Sequence, residues 1–329
     1  MENNVTVIGF KDSGKTTYLA GMYMMMSAGR KNFSLVAKDP DMDLILDRLW
    51  SGICEGRFPL PSDNDEKFTF HIAHNYKPVC DFDWLDYPGG ILVEPSHPAR
   101  ASLNESIANA DCLVLVLDGK LFQIDDAVDE EDYEERLTKR LEFDRGLRSE
   151  TKALSRLSAE GVEIPPVCLM VTKCDLIDLR YQAVVEKVLR NSESMKGIFE
   201  GNKLVMTASV SLGADISTGG TPNPFCIEQP IAFAVLTILI KYLTALKIVK
   251  DQNRDFFTKP RGFISSLFNA EKIEKAEKNI KELEGVFNKL SQDAYSLIDL
   301  FSEKKKIFVY GKNEGFRDYF RDIFRELGE

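Results

Sequence analysis

The sequence predicts an α/β protein in three layers, a mostly parallel sheet with helices on both faces. Three observations carry this. Residues 110–118 (ADCLVLVLD) and 166–172 (PVCLMVT) are continuous apolar runs, as strands covered on both faces read. Helical spacing separates these and the other strand-like runs. The run Gly9-Phe10-Lys11-Asp12-Ser13-Gly14-Lys15-Thr16 fits G-x-x-x-x-G-K-[ST] between a β-branched strand, residues 5–8, and a helix start at Thr17.

In order, the first helix runs to about Ala28 and a short strand covers residues 32–37. Leu44, Leu46, Leu49 and Ile53 give helical spacing over 41–56. A two-proline loop, 56–64, precedes strand-like runs at 67–75 and 79–85, whose short Tyr76-Lys77-Pro78 link suggests an antiparallel hairpin. An acidic stretch, 125–135, leads into one long polar helix ending near Ala159. A further strand is expected at 203–207, and a helix over 227–251 closes the domain. Its segment 231–240 is apolar all round, but Lys241 and Lys247 interrupt the stretch after it. That makes it too short to span a bilayer and predicts a helix buried against the sheet. Pro260 and Gly262 mark a boundary, dividing the chain into 1–251 and a helical extension, 252–329.

In the extension, apolar residues recur from Ile273 to Phe301 in steps of three and four, the seam of a coiled coil or helical hairpin. Gly285 weakens it by about 1 kcal/mol. A short apolar run, 307–310, precedes a last helix with Phe316, Tyr319, Phe320, Ile323, Phe324 and Leu327 on one face. Folding of these helices onto the main domain is favoured over pairing with a second copy. Residues 262–268 read as a hinge packed on the core rather than a membrane anchor.

At 329 residues the chain can bury a full core. The net charge of −10 argues against a duplex nucleic-acid surface, which needs a basic face. The six cysteines form no C-x-x-C pair, and Cys112 and Cys168 fall inside apolar strands as small buried thiols. With no leader pattern, a reducing cytoplasm is the expected location.

The chemistry lies in the turns after strands. A strand, tight loop and helix start aim backbone N–H groups at one point, with the helix dipole behind them. Gly9, Lys11, Asp12, Ser13, Gly14, Lys15, Thr16 and Thr17 are expected to surround phosphates, with Lys15 reaching the β- and γ-groups and the Thr16 hydroxyl holding Mg²⁺. Asp86-Tyr87-Pro88-Gly89-Gly90 ends the strand at 79–85. Its carboxylate can hold Mg²⁺ through water, and Gly89 can offer an N–H to the γ-phosphate on a backbone free to swing.

Thr172-Lys173-Cys174-Asp175 fits [NT]-K-x-D. Guanine presents N1–H and N2–H on one edge, and the Asp175 carboxylate can accept both. Adenine would leave that carboxylate unpaired, a rejection that can reach roughly 10⁴-fold. Lys173 can lay its stem along the base. Thr207, Ala208 and Ser209, placed after the last strand, can meet the guanine O6 oxygen with a backbone N–H.

With GFKDSGKT, DYPGG, TKCD and the weaker TAS, residues 1–250 resemble the P-loop GTPases of the translation-factor and Ras-like class. Residues 32–56 are similar to those of bacterial stand-alone and double-GTPase families, which often occur in multi-gene regulatory or conflict systems. The resemblance implies a six-stranded sheet with one antiparallel strand, GTP or GDP with Mg²⁺ as ligands, and the roles above for Lys15, Thr16, Asp86, Gly89, Lys173 and Asp175. Two departures stand out. The family's first switch loop has a threonine over Mg²⁺, whereas residues 56–64 contain none; Ser62, the nearest hydroxyl, is expected to take that place over Mg²⁺. Ras-like members place a glutamine after the D-x-x-G glycine; here it is Gly90, which cannot hold a water, so hydrolysis should be slow. Arg57, His97 and Arg100 could supply a missing contact in cis, or a partner could do so in trans.

These readings predict a slow GTP-dependent switch acting on a protein partner through its loops or C-terminal helices, as a homo- or hetero-oligomer. A nucleotide-stabilised scaffold is the alternative.

Overall fold

The computed structural model of the chain describes residues 3–60, 62, 64–92, 99–124, 129–202, 204–258, 270–303 and 305–328. By contact these fall into two units, Met1–Ala234 with Lys306–Glu314, and Val235–Lys305 with Gly315–Glu329. Residue 251 lies inside one continuous helix, Gln229–Thr258. Pro260, Gly262 and the proposed hinge at 262–268 lie outside the described residues.

The first unit is built on one sheet. Its strands are β1 (Asn4–Gly9), β2 (Phe33–Ala37), β3 (Glu66–His74), β4 (Lys77–Asp86), β5 (Cys112–Asp118), β6 (Val167–Thr172), β7 (Val205–Ser209), β8 (Lys306–Val309) and β9 (Lys312–Gly315), in the order β2-β3-β4-β1-β5-β6-β7-β8-β9. β4, β1, β5, β6 and β7 run parallel, while β3 is antiparallel to both β2 and β4. The sheet therefore has nine described strands rather than six. The difference comes partly from β8, which pairs antiparallel to β7 through Val205 and Phe308, and from β9. Tyr310 and Gly311 turn β8 into β9 with φ of 47° and 75°, the left-handed pair a tight hairpin requires.

The apolar runs are apolar because both sheet faces are covered. Leu113, Leu115 and Leu117 of β5 share a core with α3 (Arg100–Ala108), α4 (Glu130–Phe143), α5 (Arg145–Ala159), α6 (Gln182–Asn191) and α7 (Glu193–Gly201). The opposite face meets α1 (Lys15–Ser27), where Tyr18 stacks on Trp84 and Tyr23 packs against Phe70. α2 (Pro40–Cys54) starts on the Asp39 carboxylate, which accepts from Asp41 N, with Pro40 at the first helical position. The single helix expected to end near Ala159 is two. Asp144 at ψ 121° leaves helical space, and its carboxylate caps α5 by accepting from Leu147 N at 2.8 Å.

Helix α8 (Gln229–Thr258) has the length and composition to cross a membrane over Gln229–Val249, and 56% of that window is buried inside the protein. Ile231, Phe233, Val235 and Leu239 are fully buried. In the second unit, α9 (Ala270–Ile298) buries Phe287, Ala294 and Leu297, and α10 (Phe316–Gly328) buries Phe316, Phe320 and Phe324. Phe301 stacks on Phe316, and Arg317 Nε donates to Phe301 O at 2.9 Å, fixing the entry to α10.

Candidate nucleotide-binding site

The carboxyl ends of β1, β4, β5, β6 and β7 open onto a cavity of about 470 Å³. Lys11 through Thr17, Asp86, Gly89, Thr172, Lys173 and Asp175 all line it, so three motifs far apart in sequence share one space.

The loop after β1 closes with Ser13 N donating to Phe10 O at 3.2 Å, and Gly14 caps α1 at φ 88°. That conformation favours glycine, since a Cβ there crowds the following carbonyl. Gly9 is needed for a different reason. A Cβ on it would lie 2.7 Å from Val116 Cβ, so β1 and β5 approach here only through glycine. The Lys15 ammonium bends back over the loop and donates to Gly9 O at 3.0 Å.

Asp86 is 7% exposed and hydrogen-bonded to Thr16. Its Oδ1 is buried with no hydrogen-bond partner among the described residues. Burial pushes its carboxyl up to about 7, opposed by Lys15 and reinforced by Glu66. An orphaned buried carboxylate oxygen beside a hydroxyl is a donor set that a hard divalent cation completes, so these residues fit Mg²⁺. Ser13 Oγ is likewise buried without a partner under the cradle, which fits a phosphate oxygen. Gly89 sits against the loop so closely that a Cβ would lie 2.3 Å from Lys11 N.

The third motif is tied to the first. Thr172 Oγ1 donates to Ser13 O at 2.6 Å and lies 3.2 Å from Leu117 O. Lys173, at φ 51°, carries its stem past the cavity so that Nζ donates to Asp12 O at 2.8 Å and pairs with Asp118 at 2.7 Å. Gly119 packs on this turn, where a Cβ would lie 2.3 Å from Thr172 O. Asp175 is exposed at the cavity wall. Sequence reasoning missed Asp118. Its place at the end of β5, opposite Thr172 of TKCD in the β5–β6 ladder and so one residue from the lysine, was the available signal.

Two placements differ from expectation. Thr207, Ala208 and Ser209 lie inside β7, not after it, with Ala208 paired to Met170 and Ser209 to Val171. None of the three lines the cavity; Val210 to Ala214 do, and Val210 N donates to Val171 O at 2.8 Å. The strand outlasts its apolar run because its last polar residues are held by the ladder. Ser62 lines the cavity, but its hydroxyl donates to Asn64 O at 3.0 Å and accepts from Asn64 N, so it is spent on its own turn.

Arg57 pairs with Glu55 and does not line the cavity. Arg100 donates to Ile91 O at 3.5 Å, and His97 lies outside the described residues.

No protein-family model matches the chain, and no curated protein matches its sequence. Among solved structures it is similar to the signal recognition particle receptor SRb–GTP/SRX complex of Chaetomium thermophilum, at 16% identity, over 65% of this chain and 93% of that one, with a TM-score of 0.36. It is similar to the S. cerevisiae Ski7 GTPase-like domain bound to GTP, at 16% identity, over 72% of this chain and 50% of that one, with a TM-score of 0.37. A third is a nucleolar GTP-binding protein 1 of Plasmodium falciparum, at 12% identity, over 79% and 96%, with a TM-score of 0.33.

Proposed function

We propose that this chain is a guanine-nucleotide-binding switch that hydrolyses GTP slowly with Mg²⁺ and regulates a protein partner. The observation that carries the reading is the bond from Thr172 to Ser13 O, which fuses the [NT]-K-x-D turn to the phosphate loop around one cavity with Asp175 at its wall. On this reading Gly9 and Lys11 to Thr17 hold the phosphates, Thr16 and Asp86 hold Mg²⁺, and Lys173 with Asp175 selects guanine. Bound Mg²⁺ would neutralise charge shared by the β- and γ-phosphates.

Slow turnover follows from positioning. Gly90 has no side chain to orient water, and Arg57 is committed to Glu55. A switch also needs a surface that changes with its ligand. Phe58 and Leu60 are 44% and 88% exposed in the loop that lines the cavity, so their surroundings would depend on what fills it. Isothermal titration with GTP, GDP and ATP, each with Mg²⁺, is the test. Guanine preference supports the reading, and preference for ATP overturns it. Single-turnover assays with no hydrolysis in any setting would favour the scaffold instead.

A further inference from the structure

We infer that Glu66 is a second carboxylate ligand of the divalent cation, acting directly or through one water, in the place of the missing switch-loop hydroxyl. The inference rests on the nucleotide-site reading and goes further into its metal.

Glu66 and Asp86 are direct cross-strand partners, at the ends of β3 and β4. Residues opposite each other on an antiparallel pair project to the same side, with Cβ atoms about 4.5–5.5 Å apart, and like charges there repel. The repulsion is aggravated here, because Asp86 is 7% exposed and keeps Oδ1 buried without a hydrogen-bond partner. Both residues line the same cavity as Lys15 and Thr16. Two carboxylates held face to face, one of them buried with an unsatisfied oxygen, share a cavity with the ammonium of Lys15, and a dication would supply the further positive charge and the oxygen-seeking partner the pair can take.

The first switch loop does not fill this role. Residues 56–64 lack threonine, and the Ser62 hydroxyl is engaged with Asn64. Glu66 comes two residues after that loop and opens a strand, so its backbone is held by the β3–β4 ladder. A ligand on rigid structure binds the cation in either nucleotide state and without nucleotide.

The test is Mn²⁺ titration of the full chain, stripped with chelator and read by electron paramagnetic resonance, with and without GDP. Wild type, Glu66→Gln and Asp86→Asn are compared, and GDP binding is measured separately by calorimetry. The inference expects wild type to bind Mn²⁺ without nucleotide, and Glu66→Gln to weaken that binding about tenfold or more in both settings. It also expects metal-free Glu66→Gln to melt no lower than metal-free wild type, with a smaller rise on adding Mn²⁺. Glu66→Gln within twofold of wild type, or wild type that binds no Mn²⁺ without nucleotide, overturns it. Absence of GDP binding in wild type strikes the nucleotide reading, whereas intact GDP binding beside unchanged Mn²⁺ affinity strikes this inference alone.

Discussion

The Thr172 hydroxyl donates to the main-chain oxygen of Ser13 at 2.6 Å, joining residues 159 apart in sequence. The bond is buried and spans from the end of β6 to the loop after β1, so it ties the TKCD turn directly to the GFKDSGKT loop. Thr172→Val keeps the shape and leaves the Ser13 oxygen without this donor. The expected result is a rise of about tenfold in Kd, roughly 1.4 kcal/mol, alike for GDP and GTP. Equal affinity in calorimetry would show that the tie is dispensable.

Asp175→Ala tests the base. The carboxylate is exposed at the cavity wall, where the proposed reading has it accept from guanine. Competition of GTP against ATP should lose about 10³-fold of its discrimination. Retained preference would place base recognition elsewhere.

Gly89→Ala should act through the backbone. The added Cβ would fall 2.3 Å from Lys11 N and 2.6 Å from Phe10 C, neither of which is a flexible side chain. The turn from Asp86 to Gly90 must swing away from the phosphate loop. Limited proteolysis should then cut it faster in the nucleotide-free protein, while Gly161→Ala, at φ 84° with open space around it, strains only its own turn.

Asp86 makes stability depend on pH in an unusual direction. Burial raises its carboxyl from 3.8 to about 7, so between those values the native chain holds a proton that the unfolded chain has released. The native state binds more protons, and stability falls as pH rises from about 4 to about 7, then levels off. Metal-free melts across that window should show the decline, and Asp86→Asn should flatten it. A metal-free wild-type profile parallel to that of Asp86→Asn would contradict it.

Arg57→Ala is expected to leave single-turnover GTP hydrolysis within about twofold, because the guanidinium is paired with Glu55 away from the cavity wall. A large loss would mean that the loop carries Arg57 into the site when nucleotide binds.

Much of this was legible in sequence because the signals are local. The G-x-x-x-x-G-K-[ST] run marks the turn after β1, the β3–β4 hairpin follows from the short Tyr76-Lys77-Pro78 link, and TKCD ends an apolar strand. What escaped depends on distant partners. Thr207 to Ser209 are strand because β6 runs alongside, and the break between α4 and α5 rests on the Asp144 cap in an otherwise helix-favouring polar run. Glu66 falls just outside the strand-like run read from Lys67, and only the register sets it opposite Asp86.

The strand Lys306–Val309 seals the edge of β7, where Phe308 meets the Phe199 ring edge-on at 5.0 Å. A nascent chain on the ribosome therefore cannot finish this sheet when residue 234 emerges. It must wait for about seventy further residues, with an unprotected edge exposed to chaperones or to another unfinished copy.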